Sequence, residues 1–171
     1  MDDVMSCPVS GQSLRILSGG QTGVDRAALD VARALGLPHG GWCPRGRLAE
    51  DGVIPACYDL RETLSGGYGA RTERNIAEAD ATLILTVGEL TRGTALTRRL
   101  AKRLARPHLV VDLARPPLPE VVRAWLLGIG ARSLNVAGSS ESKRPGIHAL
   151  ARAFLHAVLL GRPANGGTAR P

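Results

Sequence analysis

Four apolar runs, each followed by a segment of helical periodicity, constrain this chain more than any other feature. The runs are "LRIL" (14–17), "ATLILTV" (81–87), "PHLVVDL" (107–113) and "SLNVAG" (133–138). Near-continuous apolar strands are those buried on both faces, so they predict a parallel sheet covered by helices on each side. Val24, Ala27, Ala28, Val31, Ala32 and Leu35 mark one face of a helix closed by Gly36. A short helix is expected over 71–79, and a third from about 94 on Leu96, Leu100 and Leu104. Val121, Val122, Trp125, Leu126 and Ile129 mark the next, leaving open whether Leu118–Leu127 is core or a subunit contact. Ile147, Leu150, Ala151, Phe154 and Val158 mark the last. Strand–helix alternation of this kind is the pattern of an α/β fold. Residues 38–70, rich in Gly and Pro, read as a long irregular segment.

A chain of 171 residues is the size of one domain with one core, here expected over 13–160, with 1–12 and 161–171 as flexible tails. No apolar run reaches the roughly 18 residues of a membrane helix. The start, "MDDVMSCPVS", has no signal-peptide pattern, so the expected location is the cytoplasm. Cys7, Cys43 and Cys57 form no metal or disulfide spacing and read as reduced, buried thiols. Net charge is +7, which invites a nucleic-acid reading. Against it, only 3% of residues are aromatic, and of the 22 basic residues only Lys102 and Lys143 are lysine, an arginine bias of composition. The charge is also local: no acid lies between Glu89 and Asp112, where Arg92, Arg98, Arg99, Lys102, Arg103 and Arg106 gather.

Right-handed crossovers put the C-terminal ends of parallel strands on one edge of the sheet, where ligands bind such folds. The first loop there is Gly19, Gly20, Gln21, Thr22 and Gly23. Thr22 stands at an N-cap position and Asp25 completes a capping box, which leaves the double glycine to be explained by close approach of an anion to a helix N-terminus. A second loop, Arg92, Gly93, Thr94 and Thr97, repeats the chemistry, with a threonine cap as the plainer alternative. A third offers Ser139, Ser140, Lys143 and Arg144. Arg71 and Thr72 are expected to reach in from the long segment, as are Arg45 and Arg47. The spacing is neither GxGxxG nor GxxxxGK[ST]. No acid pair or Ser–His–Asp order marks a catalytic site, and no metal site is expected.

Taken together, "SGGQTGVDRAALDVARALGLPHGGWCPRGRLAEDG", "RTERNIAEADATLIL", "GTALT" and "LNVAGSSESKRPGI" resemble the molybdenum carrier proteins. These form a circularly permuted, YpsA-like branch of the SLOG superfamily, which includes the Lonely-Guy phosphoribohydrolases and DprA. The resemblance spans about residues 14–160 and implies a Rossmann-like, three-layer αβα sandwich with a mainly parallel sheet. It also implies an oligomeric carrier, a dimer or tetramer, of molybdenum cofactor (molybdopterin), or else of a nucleotide or other phosphorylated small molecule. A molybdoenzyme or cofactor-synthesis protein would be its partner. Carried over, Gly19, Gly20, Gln21, Thr22, Gly23, Gly93, Thr94 and Thr97 match the ligand loops, with Arg92 where the family has a first glycine. The ribosyl-cleaving relatives resemble a PGGxGTxxE pattern, and Thr97 stands where their glutamate would. A hydroxyl cannot replace a carboxylate in that hydrolysis, which favours binding over catalysis. Two alternatives remain: an enzyme drawing its carboxylate from Asp25 or Glu73, and a DprA-like nucleic-acid module on the basic run.

Overall fold

A computed structural model describes residues 13–160; both predicted tails, and Cys7 with them, lie outside the described residues. Five parallel strands make the central sheet: β1 (Arg15–Leu17), β2 (His39–Gly40), β7 (Ala81–Thr86), β8 (His108–Asp112) and β9 (Ser133–Gly138). Their order is β2-β1-β9-β7-β8. Helices α1 (Val24–Ala34), α4 (Pro119–Gly128) and α5 (Ile147–Leu160) pack on one face, α2 (Tyr68–Glu78) and α3 (Arg92–Arg103) on the other. The layers are those expected, an α/β sandwich of Rossmann-like form.

All six residues of β7 are buried, as its unbroken apolar run requires. Leu83 and Leu85 face the larger core with Val136, Val24, Val122 and Leu155. Alternation turns Ile84 to the opposite face, where Ile76, Leu100 and Ala101 form a smaller cluster. Gly36, at φ 65°, ends α1 as read from the sequence, with Leu37 N–H reaching back to the Ala32 carbonyl. On α4, Val122 and Leu126 enter the core and Trp125 packs against it, while Leu118, Val121 and Leu127 stay exposed.

The long irregular segment is only partly irregular. It contains the edge strand β2, the parallel pair β3 (Trp42–Cys43) with β6 (Arg61–Glu62), and the antiparallel pair β4 (Leu48–Ala49) with β5 (Gly52–Val53). Arg47 organises it by donating to the carbonyls of Ile54, Pro55, Tyr58 and Leu60. Beneath lies a satellite core of Leu29, Cys43, Ile54, Tyr58 and Leu60. Cys43 is buried as expected, but Cys57 is exposed because it lies in a turn outside that cluster.

One order of reading simplifies the topology. If β9 is taken as the first strand, the sheet becomes 3-2-1-4-5, the doubly wound order. The strand order then reverses at β9, between β1 and β7, and a ligand crevice belongs above it.

Asp80 fastens the start of β7 to β9. Its carboxylate accepts from the backbone amides of Arg132 and Ser133 and from the Ser133 hydroxyl, each at 2.9–3.0 Å. The Arg132 amide first, then the Ser133 donors, hold its pKa below the usual carboxylate value against the opposing effect of burial. A carboxyl lowered on folding contributes stability that is full above its unfolded pKa, about 3.9, and lost as pH falls through the folded value. Glu50 and Asp112 are lowered too. Thermal midpoints are therefore expected to drop steeply below about pH 4, and Asp80→Asn should lower the midpoint at neutral pH while flattening that acid limb. Parallel acid limbs in the two proteins would contradict this role.

Candidate functional site

A cavity of about 350 Å³ opens at the predicted edge, above β9. That is the small end of the range for ligand pockets. Asn135, Ala137 and Gly138 of β9 form its floor, and the walls come from the loop after β1, the start of α2, the start of α3 and the loop after β9.

The α3 wall is the one that presents open donors. The helix is capped by Thr91, whose hydroxyl accepts from the Thr94 amide at 3.4 Å. Thr94 is therefore not the cap. It is buried in the first turn and donates to the Thr91 carbonyl, off the cavity lining. Thr97 does line the cavity and donates to the Gly93 carbonyl at 3.0 Å. Among the described residues the amides of Arg92 and Gly93 have no partner, as first-turn amides do not. A Cβ built on Gly93 meets nothing within 4 Å, so the space before these amides is open. Arg92 lines the cavity here, and Lys143 faces it from the β9 loop. Neither side chain has an ion pair or hydrogen bond among the described residues.

The first loop is committed elsewhere. Gly19 and Gln21 line the cavity; Gly20, Thr22 and Gly23 do not. The double glycine, expected to admit an anion, is used by the protein itself. A Cβ on Gly19 would lie 1.4 Å from Arg71 Nη1, so its space holds a guanidinium. Gly20 has φ 77° and its missing side chain makes room for Leu60 and Ile54. Gly23, not Thr22, is the N-cap of α1, and the Val24 amide is taken by the Ser139 carbonyl at 3.2 Å. Nor does a capping box form. Asp25 binds Arg71 Nη1 at 2.8 Å, and the Thr22 hydroxyl donates to Glu50 and accepts from the Glu141 amide.

Arg71 and Thr72 both line the cavity, as expected from sequence. Arg71 is however neutralised by Asp25, in a pair whose side chains are 12% and 4% exposed. Thr72 returns its hydroxyl to the Tyr68 carbonyl. Ser139 is buried with its hydroxyl unpartnered and is not among the lining residues, unlike Ser140. Arg144 spends its guanidinium on the carbonyls of Val87 and Glu89, tying the β9 loop to the β7 loop. Arg45 and Arg47 do not reach the cavity. Glu73 turns outward to Arg103 at 2.8 Å, so of the two acids suggested for catalysis only Asp25 is at the cavity.

Several lining residues escaped the sequence reading, among them Tyr68, Asn75, Thr91, Glu50 and Asn135. Glu50, on the β4–β5 turn, accepts from the Ser142 amide at 3.0 Å and its hydroxyl at 2.5 Å. Burial pushes its pKa up, but the Ser142 and Thr22 donors outweigh that and hold it below the usual glutamate value. Asn135 is 2% exposed within β9 and carried a usable signal, a lone amide in an otherwise apolar strand. Among the described residues no three His, Cys, Asp or Glu side chains gather as a metal site, and no helix is long and apolar enough to cross a membrane.

The permuted strand order and the crevice above β9 accord with the comparison to known families. The model of the circularly permutated YpsA SLOG family matches residues 16–159. The chain belongs to this family. The cpYpsA chain is also similar to a solved structure described as a "Putative molybdenum carrier protein" from Syntrophus aciditrophicus SB. The two are 40% identical with a TM-score of 0.83, over 86% of this chain and 96% of the other. No curated protein matches.

Proposed function

We propose that this cpYpsA protein is a carrier that binds a phosphorylated, anionic cofactor above β9, with molybdenum cofactor as its first candidate cargo. The observation that carries the reading is the α3 N-terminus. Two amides, an open glycine, and the cations Arg92 and, from the β9 loop, Lys143 line one cavity without partners among the described residues. Partial positive charge at a helix N-terminus and free guanidinium or ammonium groups are what a phosphate requires. The name of the relative from Syntrophus aciditrophicus supports a molybdenum-containing cargo. The donor set suits the organic phosphate of such a cargo, and among the described residues no cluster of metal-ligating side chains stands ready for the ion itself.

Binding without hydrolysis is the second part of the proposal. Thr97 occupies the place of the relatives' glutamate and is engaged with a backbone carbonyl, and Asp25 is held by Arg71. Protein purified under anaerobic conditions should release a phosphorylated small molecule detectable by mass spectrometry, with molybdenum in stoichiometric amount if the cargo is the complete cofactor. Protein that carries no such molecule and fails to bind added pterin or nucleotide phosphates would refute the carrier reading. Release of free base from nucleoside monophosphates would instead support an enzyme. The carrier is further proposed to be a homo-oligomer and to hand its cargo to a molybdoenzyme or cofactor-synthesis protein; light scattering on the eluting protein tests the first of these.

A further inference from the structure

The cavity is chemically two-ended. Arg92 and Lys143 line it with donors, and Asp25 and Asn135 line it with acceptors. Asp25 is 3% exposed overall, and its Oδ2 is taken by Arg71 while Oδ1 has no hydrogen bond among the described residues. Asn135, which also lines the cavity, uses Nδ2 on the Thr82 hydroxyl at 3.3 Å, and its Oδ1 has no donor among the described residues. Arg71 Nε is buried without a partner, and as a donor it calls for an acceptor on the guest beside the donors that Asp25 can take. If Asp25 served only to neutralise Arg71, its carboxylate need not border the cavity, yet both residues line it. An ionised carboxylate can only accept. A guest that reaches Asp25 is therefore held there by its own N–H or O–H donors, and at Arg92 and Lys143 by its negative charge.

We infer that Asp25 is a specificity residue that reads adjacent N–H donors on a ring at the far end of the guest from its phosphate. A carboxylate facing two neighbouring N–H groups makes charge-assisted hydrogen bonds to both. The 2-amino-4-oxopyrimidine edge, shared by guanine and pterin rings, presents such a pair. Rings with an oxo group or a hydrogen at that carbon present one donor fewer. The assignment rests on the carrier reading and adds the class of ring to it.

Titration calorimetry of the full chain with guanosine 5′-monophosphate, inosine 5′-monophosphate and inorganic phosphate separates the two. The inosine nucleotide differs from the guanosine one only in lacking the 2-amino group. The guanosine nucleotide should bind at least about ten-fold more tightly, the discrimination expected when a site built for a donor meets a ligand without it. In Asp25→Asn that ratio should fall to about one, while phosphate binds as well as before or better, because the floor loses a negative charge. Equal affinity of the two nucleotides for the native chain overturns the inference while leaving the carrier reading intact. So does binding of phosphate with neither nucleotide. If nothing phosphorylated binds, the carrier reading fails and this one with it. The comparison on the native chain decides the matter even should Asp25→Asn fold poorly.

Discussion

Reversing the two unpaired cations, Arg92→Glu with Lys143→Glu, should weaken phosphate-ligand binding by at least about a hundred-fold while the thermal midpoint moves little. Each free cation beside a bound phosphate is worth roughly 1.5–3 kcal/mol as a charge-assisted hydrogen bond, and reversal adds repulsion to that loss. Stability should be spared because neither side chain holds another part of the fold. The companion substitution Arg71→Ala is expected to behave oppositely. It strands the buried Asp25 carboxylate and empties the space over Gly19, so stability should fall more than phosphate affinity. Calorimetric affinities and melting curves for the two variants check the contrast. Loss of binding in Arg71→Ala alone, at unchanged stability, would mean that Arg71 rather than the α3 wall holds the anion.

The second large effect concerns Gly23. Alanine there should cost about 2–4 kcal/mol, combining a left-handed backbone with overpacking. Its φ is 77°, and a Cβ would lie 2.4 Å from the Ser139 carbonyl oxygen and 2.8 Å from the Glu141 amide. Both are backbone atoms that cannot rotate aside, so the loop after β9 must retreat from the start of α1. The bond from the Val24 amide to Ser139 goes with it. A fall in the melting temperature of roughly 5–15 °C is expected for a domain of this size. Gly93→Ala makes the control, since a Cβ there meets open space and the residue lies inside a helix. It should leave the fold as stable or slightly more so and diminish only anion binding. A Gly23→Ala protein as stable as the native one would show that the two loops do not depend on each other's close approach.

These contrasts also measure how much was legible in the sequence. The four long strands and five helices announce themselves because each carries a period set by burial on one or both faces. β2 does not: two residues, His39 and Gly40, pair with Ile16 and Leu17 at the sheet edge, too few to show alternation. The pairs β3–β6 and β4–β5 are equally short, and a Gly- and Pro-rich composition conceals them. At the site, the place of Gly93 at the cavity could be read because it depends on one helix turn. Gly19 could not, because what fills its space is a guanidinium 52 positions away along the chain. Glycine signals that something comes close, and only the fold reveals what. Glu50 was hidden for a similar reason, since the hydroxyls it binds come from Thr22 and Ser142 on two separate loops.

The place of β9 also has a consequence for how the protein comes into being. Its inner position, between β1 and β7, is filled by the fourth long run, which leaves the ribosome after all the others. Until then β1–β2 and β7–β8 are two ribbons with nothing to join them, each presenting an unpaired edge. Pairings such as Ile16 with Leu134 span most of the chain, and contacts of such long range form slowly. Insertion of this one strand closes the sheet and supplies the cavity floor in a single event. A nascent or truncated chain ending before Ser133 therefore lacks the floor of the cavity and the strand that joins the two ribbons.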